Sequence, residues 1–113
     1  MTYRTVPEAE FRERVNRVTQ HIAPDQYGCV TGPGRSGAVA AVYTSHQLGI
    51  PFIPYGQEIP KNLQPVLVVD TATWTGRTIR KAARKYGPAI GAAFAYYKEG
   101  PGAMVKFWYE RNQ

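Results

Sequence analysis

The stretch VLVVDTATWTGRT, residues 66–78, decides how this chain is read. Val66 to Val69 are four apolar residues in a row behind Pro65, which suits a strand buried on both faces, since a strand covered on one face would alternate. The run PVLVVD ends on one carboxylate, Asp70. Behind it come Thr71, Thr73, Thr75 and Thr78, with Ala72, Trp74, Gly76 and Arg77 between them. From Thr78 to Tyr86 the pattern turns helical, with Ile79, Ala82, Ala83 and Tyr86 on one face and Gly87-Pro88 as the stop. A helix amino terminus presents unpaired N–H groups and a partial positive charge, and a glycine lets the backbone come close to a phosphate. Hydroxyl donors around an acceptor-only carboxylate suit a ligand that carries both a phosphate and sugar hydroxyls. The threonines take the phosphate and Asp70 the hydroxyls.

Working outward, a second loop of this kind lies upstream. YGCVT is a short apolar strand, and GPGRSG follows it into AVAAVYTSHQLG, a small-residue helix stopped by Gly49. Gly32, Gly34 and Gly37 supply the turn, Ser36 caps the helix or donates to a phosphate, and Arg35 adds a charged fork. IPFIPY reads as a further strand, AIGAAFAYY as another, KEGPGA as a turn and MVKFWYE as a last edge strand. At the amino end, Thr5, Pro7 and Glu8 have capping-box spacing, and Phe11, Val15, Val18 and Ile22 then recur at helical intervals up to Pro24. Alternating strands and helices give an α/β, Rossmann-like fold: a mostly parallel sheet of about five strands with three helices, in one domain over residues 1–113. Ligands of such sheets sit at the carboxyl ends of the strands, where the strand order reverses. Both loops fall there, so as neighbours they would hold two phosphate-bearing ends of one ligand.

Composition sets the outer limits. A chain of 113 residues, 43% hydrophobic, suits one packed core. No apolar run approaches the roughly 20 residues of a membrane-spanning helix, and the opening residues lack the apolar centre of a signal peptide, so a cytoplasmic location without membrane contact is expected. Cys29 is the one cysteine, which excludes a disulfide within the chain and suits a buried thiol. The net charge of +6 suggests an anionic partner, either a phosphorylated metabolite or a nucleic acid. Arg80, Lys81, Arg84 and Lys85 serve equally as the wet side of a helix or as an RNA contact.

VLVVDTATWTGRT resembles the phosphoribosyl-diphosphate-binding motif of the type I phosphoribosyltransferases, and VTGPGRSGAVAAVYTSHQLGIPF resembles that family's pyrophosphate loop, helix and next strand. The resemblance covers about residues 28–98. It implies transfer of a phosphoribosyl group from phosphoribosyl diphosphate to a nucleobase, with Mg²⁺ as cofactor and a homodimer as a common assembly. Asp70 would contact the ribose hydroxyls, with the metal nearby through water. Thr75, Gly76, Arg77 and Thr78 would cradle the 5′-phosphate, and Gly34, Arg35, Ser36 and Gly37 the pyrophosphate. Asp70 and Arg35 then stand as the catalytic pair, and His21 and His46 need no role. A strained cis peptide between Gly34 and Arg35, costing about 3 to 4 kcal/mol, is expected from the family's loops. Lys98 falls where 6-oxopurine members reach the base's exocyclic oxygen.

Three features depart from the pattern. Thr71 stands where the family has a second acid. Trp74 replaces a small polar residue near the base, as a wall for the base or as packing against the next helix. GQEIPKNLQP gives only ten residues to the segment that carries the family's flap, where a parallel crossover alone takes about a dozen. A binding module that keeps the sugar-phosphate pocket for sensing is therefore the alternative to a transferase.

Overall fold

A computed structural model describes residues 3–110. The elements in chain order are β1 (Tyr3–Val6), α1 (Glu8–Thr19), β2 (Cys29–Thr31), α2 (Gly34–Leu48), β3 (Val66–Thr73), α3 (Arg77–Arg84), β4 (Ile90–Lys98) and β5 (Met104–Phe107). The strands form two parallel sheets: β2-β3-β4, and a separate pair, β1-β5. Five strands and three helices agree with the α/β expectation. Their division between two sheets does not follow from the sequence pattern.

β3 is central and pairs with β2 on one side (Val66 opposite Cys29, Val68 opposite Thr31) and with β4 on the other (Asp70 opposite Ala95, Thr73 opposite Lys98). Side chains of a strand alternate between faces, and Val66 to Val69 are all fully buried because both faces are covered. Leu67 and Val69 pack with Val30, Phe11, Ala40 and Ala41 under α1 and α2. Val66 and Val68 pack with Cys29, Ile79, Ala82 and Tyr86 under α3. Cys29 is inert there, its thiol pushed up to about 11 by burial.

β1 is a correction to the amino-terminal reading. Thr5 lies in that strand opposite Lys106, and α1 starts after Pro7 with no side-chain cap, so no capping box forms. α1 also ends earlier, at Thr19, whose hydroxyl donates back to the Val15 and Asn16 carbonyls. IPFIPY is not a strand. It contributes a single parallel bridge, Phe52 to Val30, because Pro51 and Pro54 flank it and have no N–H to extend a ladder.

The segment after that bridge runs along the α3 side toward the amino ends of the strands. Gly56 N–H donates to the Tyr86 hydroxyl, Ile59 is buried, and the Leu63 backbone lies so close to Gly28 that a Cβ there would meet its carbonyl oxygen at 2.2 Å. This connection is committed to packing, away from the carboxyl ends of the strands.

Candidate functional site

The two loops leave adjacent parallel strands. β2 hands over to α2 on one face and continues to the Phe52 bridge on its outer side, whereas β3 hands over to α3 on the other face and continues to β4. The strand order therefore reverses between β2 and β3, and the two loops flank that switch point.

In the first loop, Gly32 and Gly37 touch backbone to backbone. A Cβ on Gly32 would fall 2.1 Å from the Gly37 oxygen and 2.5 Å from the Val69 oxygen. Gly34 has φ +65°, the left-handed value glycine tolerates, and opens α2 directly, so Arg35 and Ser36 sit in the first turn. Arg35 is exposed. The expected cis bond between Gly34 and Arg35 is absent, and the left-handed glycine makes the turn without one; the cis peptide among the described residues is Gln64-Pro65.

In the second loop, β3 runs three residues beyond Asp70, so Thr71, Ala72 and Thr73 belong to the end of the strand and the loop itself begins at Trp74. Thr73 opposes Lys98, and its Oγ1 accepts the Gly76 N–H at 2.8 Å. Thr75 Oγ1 accepts the Arg77 N–H at 3.2 Å. Gly76, with φ +83°, leads into α3, and Arg80 donates from Nη1 to the Thr75 carbonyl across it. Thr75, Arg77 and Thr78 are exposed at the helix start. The loop thus holds its own shape through its own hydroxyls.

Asp70 is half-buried beside the switch point and accepts the Thr71 N–H at Oδ1, 2.7 Å. Burial pushes its carboxyl above the ordinary aspartate value, and the Thr71 hydrogen bonds offset this only in part. Trp74 is 43% exposed, and its carbonyl accepts from Lys98 Nζ. His21 and His46 are exposed and lie outside these loops.

Two residues escaped the sequence reading. Thr31, at the end of β2, is fully buried with its Oγ1 unpartnered. It sits opposite Val68 and so shares a sheet face with Asp70 two residues on. Tyr109, just past β5, donates its hydroxyl to Ser36 Oγ at 2.8 Å and lies close to the Thr71 side chain and the Asp70 charge. Burial raises its phenol above the ordinary tyrosine value. One phenol thus ties the end of the chain to the first turn of α2, beside the end of β3, and Phe107 and Trp108 support it through ring pairs at 5.8 and 5.0 Å. An aromatic far along the chain carries no local signal for such a role.

The fold recurs in solved structures. The purine phosphoribosyltransferase of Pyrococcus horikoshii Ot3 superposes with a TM-score of 0.77 at 16% identity, over 100% of this chain and 97% of that one. The chain has the type I phosphoribosyltransferase fold. The xanthine-guanine-hypoxanthine phosphoribosyltransferase of Helicobacter pylori shares it, with a TM-score of 0.70 at 15% identity over 96% and 92% of the two chains. A hypothetical protein from Neisseria gonorrhoeae with bound ppGpp also shares the phosphoribosyltransferase fold, at 0.67 and 11% over 98% and 92%. No protein-family model matches the sequence, and no curated protein matches it. Among the described residues, no helix is long and apolar enough to cross a membrane.

Proposed function

We propose that this chain transfers the phosphoribosyl group of phosphoribosyl diphosphate to a nucleobase and releases pyrophosphate. One observation supports the reading: two glycine-bearing loops, each opening a helix, leave adjacent strands at one switch point, with Asp70 near the carboxyl end of one of those strands. In this reaction a ring nitrogen of the base bonds to the anomeric carbon of the ribose. The carbon–oxygen bond to pyrophosphate breaks, its electron pair leaves on the pyrophosphate, and the proton of the nitrogen passes to solvent. The chain's own part is positioning and charge stabilisation. Thr75, Gly76, Arg77 and Thr78 hold the 5′-phosphate against the start of α3, and Asp70 accepts from the ribose hydroxyls. Gly34, Arg35, Ser36 and Gly37 hold the pyrophosphate as charge develops on it.

The donor set fits Mg²⁺ carried largely by the ligand. Among the described residues no three of His, Cys, Asp and Glu cluster as a metal site, and Asp70 offers one carboxylate. Mg²⁺ characteristically takes one or two carboxylates together with substrate phosphates and water. Bound with the ligand, it would supply neutralisation of the departing pyrophosphate.

Calorimetric titration with phosphoribosyl diphosphate and Mg²⁺ tests the pocket, with Asp70→Asn and Arg35→Ala expected to weaken binding about tenfold or more, the loss of one charge-assisted hydrogen bond. Affinity no better than millimolar overturns the proposal. Release of pyrophosphate across a panel of bases then tests transfer. Binding without release assigns the pocket to a second reading, a regulatory module that senses a phosphorylated nucleotide. Two observations favour that reading: Thr71 is buried against Tyr109 where an acid would stand, and the Neisseria gonorrhoeae neighbour was solved with ppGpp bound.

A further inference from the structure

The outer face of α3 carries more charge than the fold uses, and the proposed reaction draws on it only at its first residue, Arg77. Arg77, Arg80, Lys81 and Arg84, with Lys85 one residue past the helix end, are all exposed. At about 3.6 residues per turn they fall within roughly 140° of arc, while Ile79, Ala82 and Tyr86 are buried on the opposite side against the sheet. No acid interrupts the stripe, since the chain has none between Asp70 and Glu99. Like charges three and four residues apart on a helix oppose one another.

On the other face of the sheet the exposed cations are offset. Arg12 pairs with Glu8 and Arg17 with Glu13 along α1, and Arg4 of β1 pairs with Glu10. Among the described residues no ion pair reaches α3. Arg80 donates to the Thr75 carbonyl and Lys85 lies 5.8 Å from the centroid of the Tyr55 ring, both neutral groups. Glu58 lines the hollow beside Lys85 without pairing with it. The side chains of Arg77, Lys81 and Arg84 have no hydrogen-bond or ion-pair partner among the described residues. Just before the amino end of the stripe stands Trp74, exposed on the loop that opens α3.

We infer that this stripe is a second binding surface, for a single-stranded nucleic acid, with phosphates along the basic face of α3 and a base stacked on Trp74. Surfaces that track single strands combine cations for the backbone with exposed aromatic faces for the bases. Two other polyanions match less of the surface. A basic helix that binds a membrane inserts its apolar face, and the apolar face of α3 is buried against the sheet. An acidic peptide would engage the cations but offers an exposed tryptophan no planar partner. The inference stands apart from the transferase reading, in which Lys81 and Arg84 take no part.

Fluorescence anisotropy of the full chain with end-labelled single strands of about 12 nucleotides tests it, one probe of uridine RNA and one of thymidine DNA. Tighter binding of either probe names the source. Affinity is expected to fall with salt at a log–log slope of about −3. Lys81→Gln combined with Arg84→Gln should weaken binding about tenfold or more and make that slope shallower by about 1.4, with the melting temperature not lowered. Arg12→Gln combined with Arg17→Gln removes the same net charge from the other face of the sheet and should change affinity by less than about twofold. Trp74→Leu should cost about fivefold or more for the oligonucleotides and nothing for inorganic polyphosphate. Equal losses in the two double variants would make binding a matter of net charge and overturn the inference. So would polyphosphate or polyglutamate binding as tightly as the oligonucleotides, or no binding at about 0.15 M salt.

Discussion

Replacing Tyr109 by phenylalanine removes one oxygen and keeps the ring, so the pairs with Phe107 and Trp108 survive and the packing contribution is nearly unchanged. What is lost is the bridge to Ser36 Oγ at 2.8 Å and the contact with Thr71, which is 3% exposed. A hydrogen bond contributes about 0.5 to 1.5 kcal/mol net, and a buried partner left unsatisfied adds to the cost. The loss should therefore be about 1 to 2 kcal/mol. For a domain of this size it appears as a fall in Tm of roughly 4 to 10 °C. Because this phenol holds the first turn of α2 that carries the pyrophosphate loop, affinity for phosphoribosyl diphosphate should fall about threefold to tenfold as that turn relaxes. Thermal unfolding and calorimetry of Tyr109→Phe, Ser36→Ala and the double variant read both effects. A coupling energy between the two positions below about 0.3 kcal/mol, the scatter of independent sites, would refute the bridge.

Gly32→Ala should fail to fold or lose several kcal/mol, since its Cβ would overlap backbone oxygens at 2.1 and 2.5 Å and no flexible side chain can yield; chemical denaturation checks it. Asp70→Asn should stabilise the ligand-free chain at neutral pH while weakening phosphoribosyl diphosphate binding. The folded carboxyl binds its proton more tightly than the unfolded one, so the wild type loses stability as pH rises from the ordinary aspartate value through the raised one. Melting curves across that window should fall for the wild type and lie flatter for the variant; a flat or rising wild-type curve would show that folding does not disfavour the ionised carboxylate. Thr73→Val should cost about 1 kcal/mol by orphaning the Gly76 N–H, and hydrogen exchange at Gly76 should accelerate.

The parts of the fold that were legible are those written locally. Four consecutive buried valines and leucine mark β3, Gly49 ends α2 in the left-handed conformation expected of it, and Gly87-Pro88 closes the turn after α3. β1 was not legible because YRTV has one buried residue, Val6, and its pairing partner lies about a hundred residues away in β5. IPFIPY has strand composition, but its prolines remove the donors a ladder needs. At the site, Asp70 and the residues of both helix starts could be named from spacing alone. The length of β3 could not, and it moves Thr71 to Thr73 out of the loop. Thr31 and Tyr109 depend on where β2 and the end of β5 come to rest, which is a matter of tertiary packing and leaves no mark in either segment.

The connection between the Phe52 bridge and β3, pinned to Tyr86 and Gly28, bears on exchange kinetics. With this segment held elsewhere and the β3–α3 loop already shaped by its own threonines, a ligand meets a finished surface and waits for no closure. Arrival should then follow diffusion and the positive field of the chain, slowing as salt is added, and departure should depend on the bound contacts alone. Stopped-flow traces would accordingly be single exponentials, with an observed rate that climbs linearly with ligand concentration and shows no plateau.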